Sequence, residues 1–143
     1  MLLRNISFYR KALGLQKKYG RVQNIDNLLQ TNGTLLTGEW CRFFKDNIFL
    51  IGISIDGPEH CPNNYRKNKG GKETFRQVMK GIELLQKHGV EFNTLSVINN
   101  YNVDYPLEIY NFFKENWQSL YAVCTYCGKD NAKQPGWIKS ASA

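Results

Sequence analysis

Small polar residues follow three apolar runs of the sequence, at the point where each run ends. Gln30 to Asn32 follows the first run, Ser54 to Asp56 the second, and Asn99-Asn100 the third. In parallel α/β sheets and barrels, ligands bind at the carboxyl ends of the strands, where side chains and backbone groups leave the core. If the runs are such strands, these residues share one edge and can bind a ligand. Alternatively, they are turn formers that only reverse the chain, and the pattern alone leaves both interpretations open.

Four cysteines suggest a second kind of chemistry, at a metal or redox site. Cys124 and Cys127 form a C-x-x-C pair, whereas Cys41 falls in a helical pattern and Cys61 in a mid-chain loop. A four-cysteine iron–sulfur site needs two more thiolates close to the pair. A thioredoxin-like pair must precede a helix, and residues 129–143 show no helical pattern. We therefore predict no metal-binding and no catalytic residue in this chain.

Alternating helical and strand patterns predict the elements that position these residues. The predicted order is helix, strand, helix, strand, helix, strand, helix, with strands at residues 22–30, 48–55 and 91–98. Such alternation predicts an α/β fold with parallel strands joined by right-handed crossovers. Three strands with four helices make neither a closed barrel nor a comfortable open sheet, so the chain is expected to be part of a larger architecture.

Two details of these elements can be checked against a structure. Thr37 and Asp104 are predicted to cap the second and fourth helices, because their side chains can accept hydrogen bonds from the first-turn amides. The nearly continuous apolar run from Ile48 to Ile55 is typical of a strand that is covered on both faces.

The composition is that of a folded protein, with 42% hydrophobic and 22% charged residues. No apolar run approaches the roughly 18–20 residues that cross a bilayer, which predicts no membrane association. The first residues do not resemble a signal peptide, so a cytoplasmic location is expected. The net charge of +7 is spread over the chain without a dense basic block. We therefore predict no nucleic-acid partner.

Several separated blocks of the sequence resemble one known family. Thr31-Asn32-Gly33 and Ser54-Ile55-Asp56-Gly57-Pro58, together with FYRKALGLQKKYG, LQTNGTLL, EWCRFF and VEFNTLSVIN, resemble the anaerobic sulfatase-maturating enzymes of the radical S-adenosylmethionine superfamily. The resemblance runs from about Leu2 to Glu115. It is specific because the blocks match in order and with nearly the spacing of the family.

The resemblance implies a partial, six-stranded (β/α) barrel, of which residues 1–115 hold about strands three to five with flanking helices. It implies two cofactors, S-adenosylmethionine and a [4Fe-4S] cluster held by a C-x3-C-x2-C loop after the first strand. The implied activity is oxidation of a Cys or Ser in a sulfatase polypeptide to Cα-formylglycine. On this template the chain starts just after the family's Gly-Gly-Glu-Pro motif, and it is expected to lack the cluster cysteines and the C-terminal region with two auxiliary clusters.

The resemblance also implies which residues bind the cofactor. Ser54 and Arg66 match positions that hold the methionine carboxylate, and a hydroxyl and a guanidinium can both donate to a carboxylate. Without the resemblance, Arg66 is one more surface cation in a basic loop. The family often has His-Asp where this chain has Pro62-Asn63. The cofactor-binding candidates, of which the last three match edge positions with less firmly assigned roles, are Ser54, Arg66, Asp56, Thr31 and Asn32.

Residues 116–143 are predicted to be an out-of-frame, disordered tail. One set of codons for residues 116–123 is AAT TGG CAG TCG CTT TAT GCA GTT. Deleting one A gives ATT GGC AGT CGC TTT ATG CAG TT, which encodes Ile-Gly-Ser-Arg-Phe-Met-Gln-Phe and resembles the sixth strand of the family. Under this hypothesis the C-x-x-C pair is accidental. The segment also lacks an amphipathic pattern, which is typical of a sequence that does not pack.

Three interpretations of function follow. In the first, the chain is a fragment of a sulfatase-maturating enzyme and is inactive alone because the cluster ligands are missing. In the second, it is a non-catalytic binding or complementing fragment that contacts S-adenosylmethionine or a sulfatase peptide. The third, a basic nucleic-acid module, depends on net charge alone.

Overall fold

Four parallel strands form one sheet in the computed structural model of the protein, which describes residues 5–20, 24–61, 71, 73–99, 102–117 and 122–127. The strands are hydrogen-bonded in the order in which they occur along the chain. They are β1 (Asn27–Thr31), β2 (Phe49–Ser54), β3 (Phe92–Asn99) and β4 (Ala122–Cys127). Every neighbouring pair is parallel. The predicted α/β class with parallel strands is confirmed.

Helices connect the strands in the manner of repeated β-α-β units. Helix α1 (Ile6–Tyr19) precedes the sheet, and α2 (Gly38–Asp46), α3 (Phe75–Lys87) and α4 (Pro106–Asn116) each lead from one strand to the next. This is the predicted order, with β4 added at its end. No helix in the described part of the chain has the length and the apolar character needed to cross a membrane.

The observed N-cap of α2 agrees with the sequence prediction, whereas that of α4 does not. The Thr37 side chain accepts a hydrogen bond from the Trp40 amide at 3.4 Å, as predicted for an N-cap. At α4 the N-cap is Tyr105, without a side-chain hydrogen bond, and Asp104 lies in the preceding turn. The predicted Asp104 cap is wrong. Pro106 occupies the first turn of α4, where its fixed φ suits a helix. Proline has no amide hydrogen, so no donor is left unpaired at this position.

The hydrophobic core covers one face of the sheet. Along β2, Phe49, Ile51 and Ile53 are buried, whereas Leu50 and Gly52 between them are partly exposed. Aromatic rings of α2 pack against this strand, with ring centroids of Phe44 and Phe49 5.4 Å apart. The prediction that this strand is covered on both faces is therefore wrong for the described residues.

The other face, here called the open face, carries Leu28, Gln30, Leu50, Gly52, Asn93 and Leu95. The register places these residues side by side across β1, β2 and β3. Leu28 is 68% exposed on this face. A parallel sheet normally has both faces covered. The open face is thus the surface against which further protein or a ligand can pack.

Residues 116, 117 and 122–127 of the segment predicted to be a tail lie among the described residues. Trp117 is buried, and its ring packs against Phe112 and Phe113 of α4. Residues 122–127 pair with β3 in parallel register. An edge strand offers backbone groups to any extended segment, whatever its side chains, so this pairing requires no particular sequence. That residues 116–143 are an out-of-frame, disordered tail stays a prediction from the sequence.

A close contact between two glycines sets the position of the β1 carboxyl end. A Cβ atom on Gly81 of α3 would lie 2.5 Å from the Gly33 carbonyl oxygen, in the turn after β1. Gly33 has a φ of +74°, which favours glycine. The absence of a side chain at residue 81 therefore lets α3 pack directly on this turn.

Substituting Gly81 by alanine should destabilise the protein by about 1–3 kcal/mol, because the new methyl group overlaps a backbone atom that has little room to move. Urea unfolding followed by circular dichroism measures the change. Gly14→Ala in α1 is the matched control, since nothing lies within 4 Å of the new Cβ. The control should stabilise the protein by about 0.5–1 kcal/mol. Equal effects of the two substitutions would contradict the close contact.

Candidate functional site

Four of the five predicted site residues lie at the carboxyl ends of two neighbouring strands. Thr31 ends β1 and is followed by Asn32, and Ser54 ends β2 two residues before Asp56. The register pairs Thr31 with Ile53, which places both strand ends at the same edge of the sheet. Arg66, the fifth candidate, lies outside the described residues. The structure thus brings the polar turns together, as the sequence predicted.

The two β1 candidates form hydrogen bonds within their own turn. Thr31 Oγ1 accepts from the Gly33 amide at 3.2 Å. Asn32 Oδ1 accepts from the Thr34 amide at 3.3 Å and from the Thr34 hydroxyl at 3.1 Å. These are the contacts of turn formers, the alternative that the sequence left open. A ligand role for either residue stays a prediction.

Asp56 uses its carboxylate to continue the hydrogen bonding of β2. Its Oδ1 accepts from the Val97 amide of β3 at 3.0 Å, and the residue is only 4% exposed. Two residues earlier on β3, the Leu95 carbonyl accepts from the Ile55 amide at 3.0 Å. The side chain of Asp56 thus takes the place that a backbone carbonyl would occupy if the strand continued. A buried amide without such a partner would be costly.

Asn102 is a structural residue of this edge that the sequence interpretation missed. Its Nδ2 donates to the carbonyls of Val97 at 3.0 Å and Asp56 at 3.4 Å, and its Oδ1 accepts from the Asn99 amide at 2.7 Å. The residue is 1% exposed. It therefore joins the ends of β2 and β3 through three backbone groups. Its position two residues after the Asn99-Asn100 pair was the sequence feature that could have indicated this role.

Ser54 lies where the open face meets the edge. It follows Leu50 and Gly52 in the strand alternation, and its Oγ accepts from Gln30 Nε2 at 3.5 Å. Gly52 beside it lets Leu95 pack on the strand backbone, since a Cβ at residue 52 would lie 2.7 Å from a methyl group of Leu95. The Ser54 hydroxyl is therefore the polar group at the end of an otherwise apolar part of the open face.

A small cavity of about 50 Å³ lies behind this edge, between the end of β2 and the start of α3. One water needs roughly 10–15 Å³ of such space, so the cavity holds a few water-sized groups. Its lining includes Ser54, Thr74, Asp56, Glu59 and Glu73, and the Glu59 carboxylate also pairs with Arg76 at 3.0 Å. The acidic residues favour a positively charged group, and hydroxyls can bind either sign of charge.

Cys41 and Cys61 do not form an iron–sulfur site with each other. Cys41 is buried on α2 and Cys61 is buried in the loop after β2, and such clusters take several thiolates at one place. Burial raises the pKa of the Cys41 thiol, an effect that the Arg42 charge partly offsets. Burial also raises the pKa of the Cys61 thiol, and the negative charge of Glu108 raises it further. Both thiols thus favour the neutral form, so we derive no step through a cluster.

Comparison with protein families gives a match over most of the chain. A model described as the radical SAM superfamily matches residues 2–113. A serine-type anaerobic sulfatase-maturating enzyme of Bacteroides thetaiotaomicron is 60% identical over 114 residues, which are 80% of this chain and 28% of that protein. A cysteine-type anaerobic sulfatase-maturating enzyme of Clostridium novyi is 40% identical over 111 residues, which are 77% of this chain and 30% of that protein.

Solved structures agree with these matches. A structure of anSMEcpe with bound AdoMet and Kp18Cys peptide superposes with a TM-score of 0.80 at 36% identity, over 86% of this chain and 34% of that one. A tagged form of anSMEcpe with bound AdoMet gives a TM-score of 0.81. The predicted fold, about the central part of a partial (β/α)6 barrel, is confirmed. This chain spans about a third of the length of the proteins that it matches.

Replacing Asn102 by alanine should destabilise the protein by at least about 2 kcal/mol. The substitution leaves three backbone groups without their side-chain partner, at roughly 1–3 kcal/mol for each buried group that stays unpaired. Asn116→Ala is the matched control, because that amide makes one exposed hydrogen bond, to the Phe112 carbonyl. The control should change stability by no more than about 0.5 kcal/mol. Thermal unfolding of both variants measures the difference, and a mild effect at Asn102 would contradict its joining role.

Proposed function

Because this chain belongs to the radical SAM superfamily, we propose that it forms part of the cofactor-binding barrel of an anaerobic sulfatase-maturating enzyme. The observation that carries the proposal is the placement of buried Ser54 and Asp56 at the carboxyl edge of a parallel sheet whose other face is open. Polar groups at this edge are where parallel α/β folds bind their ligands. The cytoplasmic location and the lack of a nucleic-acid partner stay predictions from the sequence.

The residues at the edge suit the amino-acid end of S-adenosylmethionine. The Ser54 hydroxyl can donate to a carboxylate, as can the Arg66 guanidinium that the family resemblance assigns to the same group. The carboxylates around the cavity, among them Asp56, attract the ammonium and sulfonium charges of the cofactor. Thr31 and Asn32 have a supporting part in this proposal, since they shape the turn after β1.

The open face gives the larger part of the cofactor a place to lie. Leu50 and Leu95 give this face an apolar surface, with a methyl group of Leu95 packed over Gly52. In the whole enzymes that the family resemblance describes, the bound cofactor supplies the radical that oxidises a sulfatase Cys or Ser to Cα-formylglycine. The contribution of this chain is to bind and orient the cofactor. We propose that the chain alone is inactive, because Cys41 and Cys61 offer no cluster site and the family resemblance places the cluster loop upstream of the matched residues.

The open face also favours a second candidate function, that of a complementing fragment. Leu28 on this face is 68% exposed, and such apolar surface on a parallel sheet is normally covered. A separately produced polypeptide that carries C-x3-C-x2-C would supply the missing cover and the cluster ligands together. This alternative needs no catalytic group on the present chain.

Ser54→Ala should weaken the binding of S-adenosylmethionine to the purified chain about tenfold, since a hydrogen bond to a charged group contributes roughly 1.5–3 kcal/mol. Isothermal titration calorimetry measures the dissociation constants. Ser7→Ala, at an exposed position of α1, is the matched control and should bind as the unmodified chain does. Arg66→Ala, paired with the exposed control Arg10→Ala, tests the remaining candidate in the same way. Absence of binding by the unmodified chain would contradict the proposal.

Complementation separates the two candidate functions. Co-expression with a polypeptide carrying the C-x3-C-x2-C loop, followed by a formylglycine assay on a sulfatase peptide, tests whether the pair matures the peptide. Activity of the pair that is lost in the Ser54→Ala variant supports both cofactor binding and complementation. An inactive pair in which the chain still binds S-adenosylmethionine supports the binding function alone.

A further inference from the structure

Three side chains with different metal-binding atoms meet next to the candidate site. They are His60 and Cys61, in the segment after β2, and Glu108 in the first turn of α4. One potential ligand atom from each lies within 4.8 Å of the others. We propose that these residues form a binding site for a zinc-like divalent cation, which links the loop to α4.

The atoms suit Zn²⁺ in type and in spacing. Zinc binds Cys sulfur, His nitrogen and carboxylate oxygen at about 2.0–2.3 Å in tetrahedral sites, which places neighbouring ligand atoms roughly 3.3–3.8 Å apart. His60 Nε2 and Glu108 Oε2 are 2.6 Å apart and form a hydrogen bond, so they must separate by less than about 1.5 Å. The mixture of one thiolate, one imidazole and one carboxylate leaves a fourth position for water.

The side chains can make this movement without disturbing the core. Those of His60 and Glu108 are 66% and 50% exposed, which leaves room on the solvent side for each to rotate. Cys61 is 5% exposed and is the fixed member, because its amide donates to the Pro58 carbonyl at 3.1 Å in a tight turn. A site with one anchored and two adjustable ligands closes on an ion by side-chain rotation alone.

The packing of the loop on α4 fixes the distance that the ion must span. Gly57 has a φ of +127°, and a Cβ there would lie 2.9 Å from Cγ1 of Ile109, the residue after Glu108. Ile109 is itself 3% exposed. The loop and the helix are therefore in contact without any metal. Because the ligands are already held together, little ordering is required when the ion binds.

The proposed ion would act on the cavity beside Ser54. Cys61 lines that cavity together with Asp56 and Glu59. Binding of a cation to the Cys61 thiolate would fix one wall of the cavity and add positive charge near its carboxylates. The site is separate from the cofactor-binding role proposed above, and each can fail without the other.

Titration of the reduced 143-residue chain with Co²⁺ tests the site, because a cobalt–thiolate bond gives a charge-transfer absorption in the near ultraviolet. We expect one equivalent to bind with this band. Cys61→Ser should abolish the band, and His60→Asn and Glu108→Gln should each weaken binding at least tenfold. Since His60 and Glu108 are exposed, their variants remain informative even if Cys61→Ser fails to fold, which circular dichroism detects.

Two controls distinguish this site from other thiols. Cys41→Ser removes a buried thiol that is not part of the cluster and should keep the band. The double variant Cys124→Ser/Cys127→Ser removes the C-x-x-C pair and should also keep it. A band that persists in Cys61→Ser, that disappears in the double variant, or that is absent from the unmodified chain would overturn the proposal.

Discussion

Where β2 ends, backbone groups on one side of β3 lose their strand partner. β2 stops at Ser54 while β3 continues to Asn99, so the amides and carbonyls of β3 that face β2 beyond that level need other partners. The Asp56 carboxylate and the Asn102 side-chain amide supply them. Unpaired buried backbone groups are costly, so the end of β2 depends on these two side chains.

This constraint explains why the candidate site is where it is. Once Asp56 turns inward to reach Val97, the chain must leave the sheet at Gly57, which rests against α4. The turn leaves Ser54 as the last strand residue, at the end of the open face. The polar edge thus results from the way in which the strand ends.

Much of this arrangement was predictable from the sequence, because it depends on local patterns. The parallel strands, the Thr37 cap and the shared edge of the polar turns all follow from apolar periodicity and from side chains with well-defined local roles. The first strand begins at Asn27, later than the predicted residue 22.

The errors have local and long-range causes. The Asp104 cap was wrong because Asp104 lies inside a turn that the Tyr105 amide closes by donating to the Asn102 carbonyl, and α4 begins after that turn. Burial of β2 on one face depends on which elements surround the strand, and a run of apolar residues does not reveal that. The meeting of His60 with Glu108 was missed because residues 48 positions apart carry no pairing signal in one sequence.

The turn after β1 gives the edge a direction. Among the described residues, the oxygens of Thr31 and Asn32 are engaged by amide and hydroxyl hydrogens of their own turn, so what these side chains can still offer a ligand is hydrogen to donate. The Ser54 hydroxyl at the end of β2 can donate as well, whereas the buried carboxylate of Asp56 accepts from the Val97 amide. The strand ends therefore suit the anionic end of a zwitterion, and its cationic end is better placed toward the acidic residues that line the neighbouring cavity.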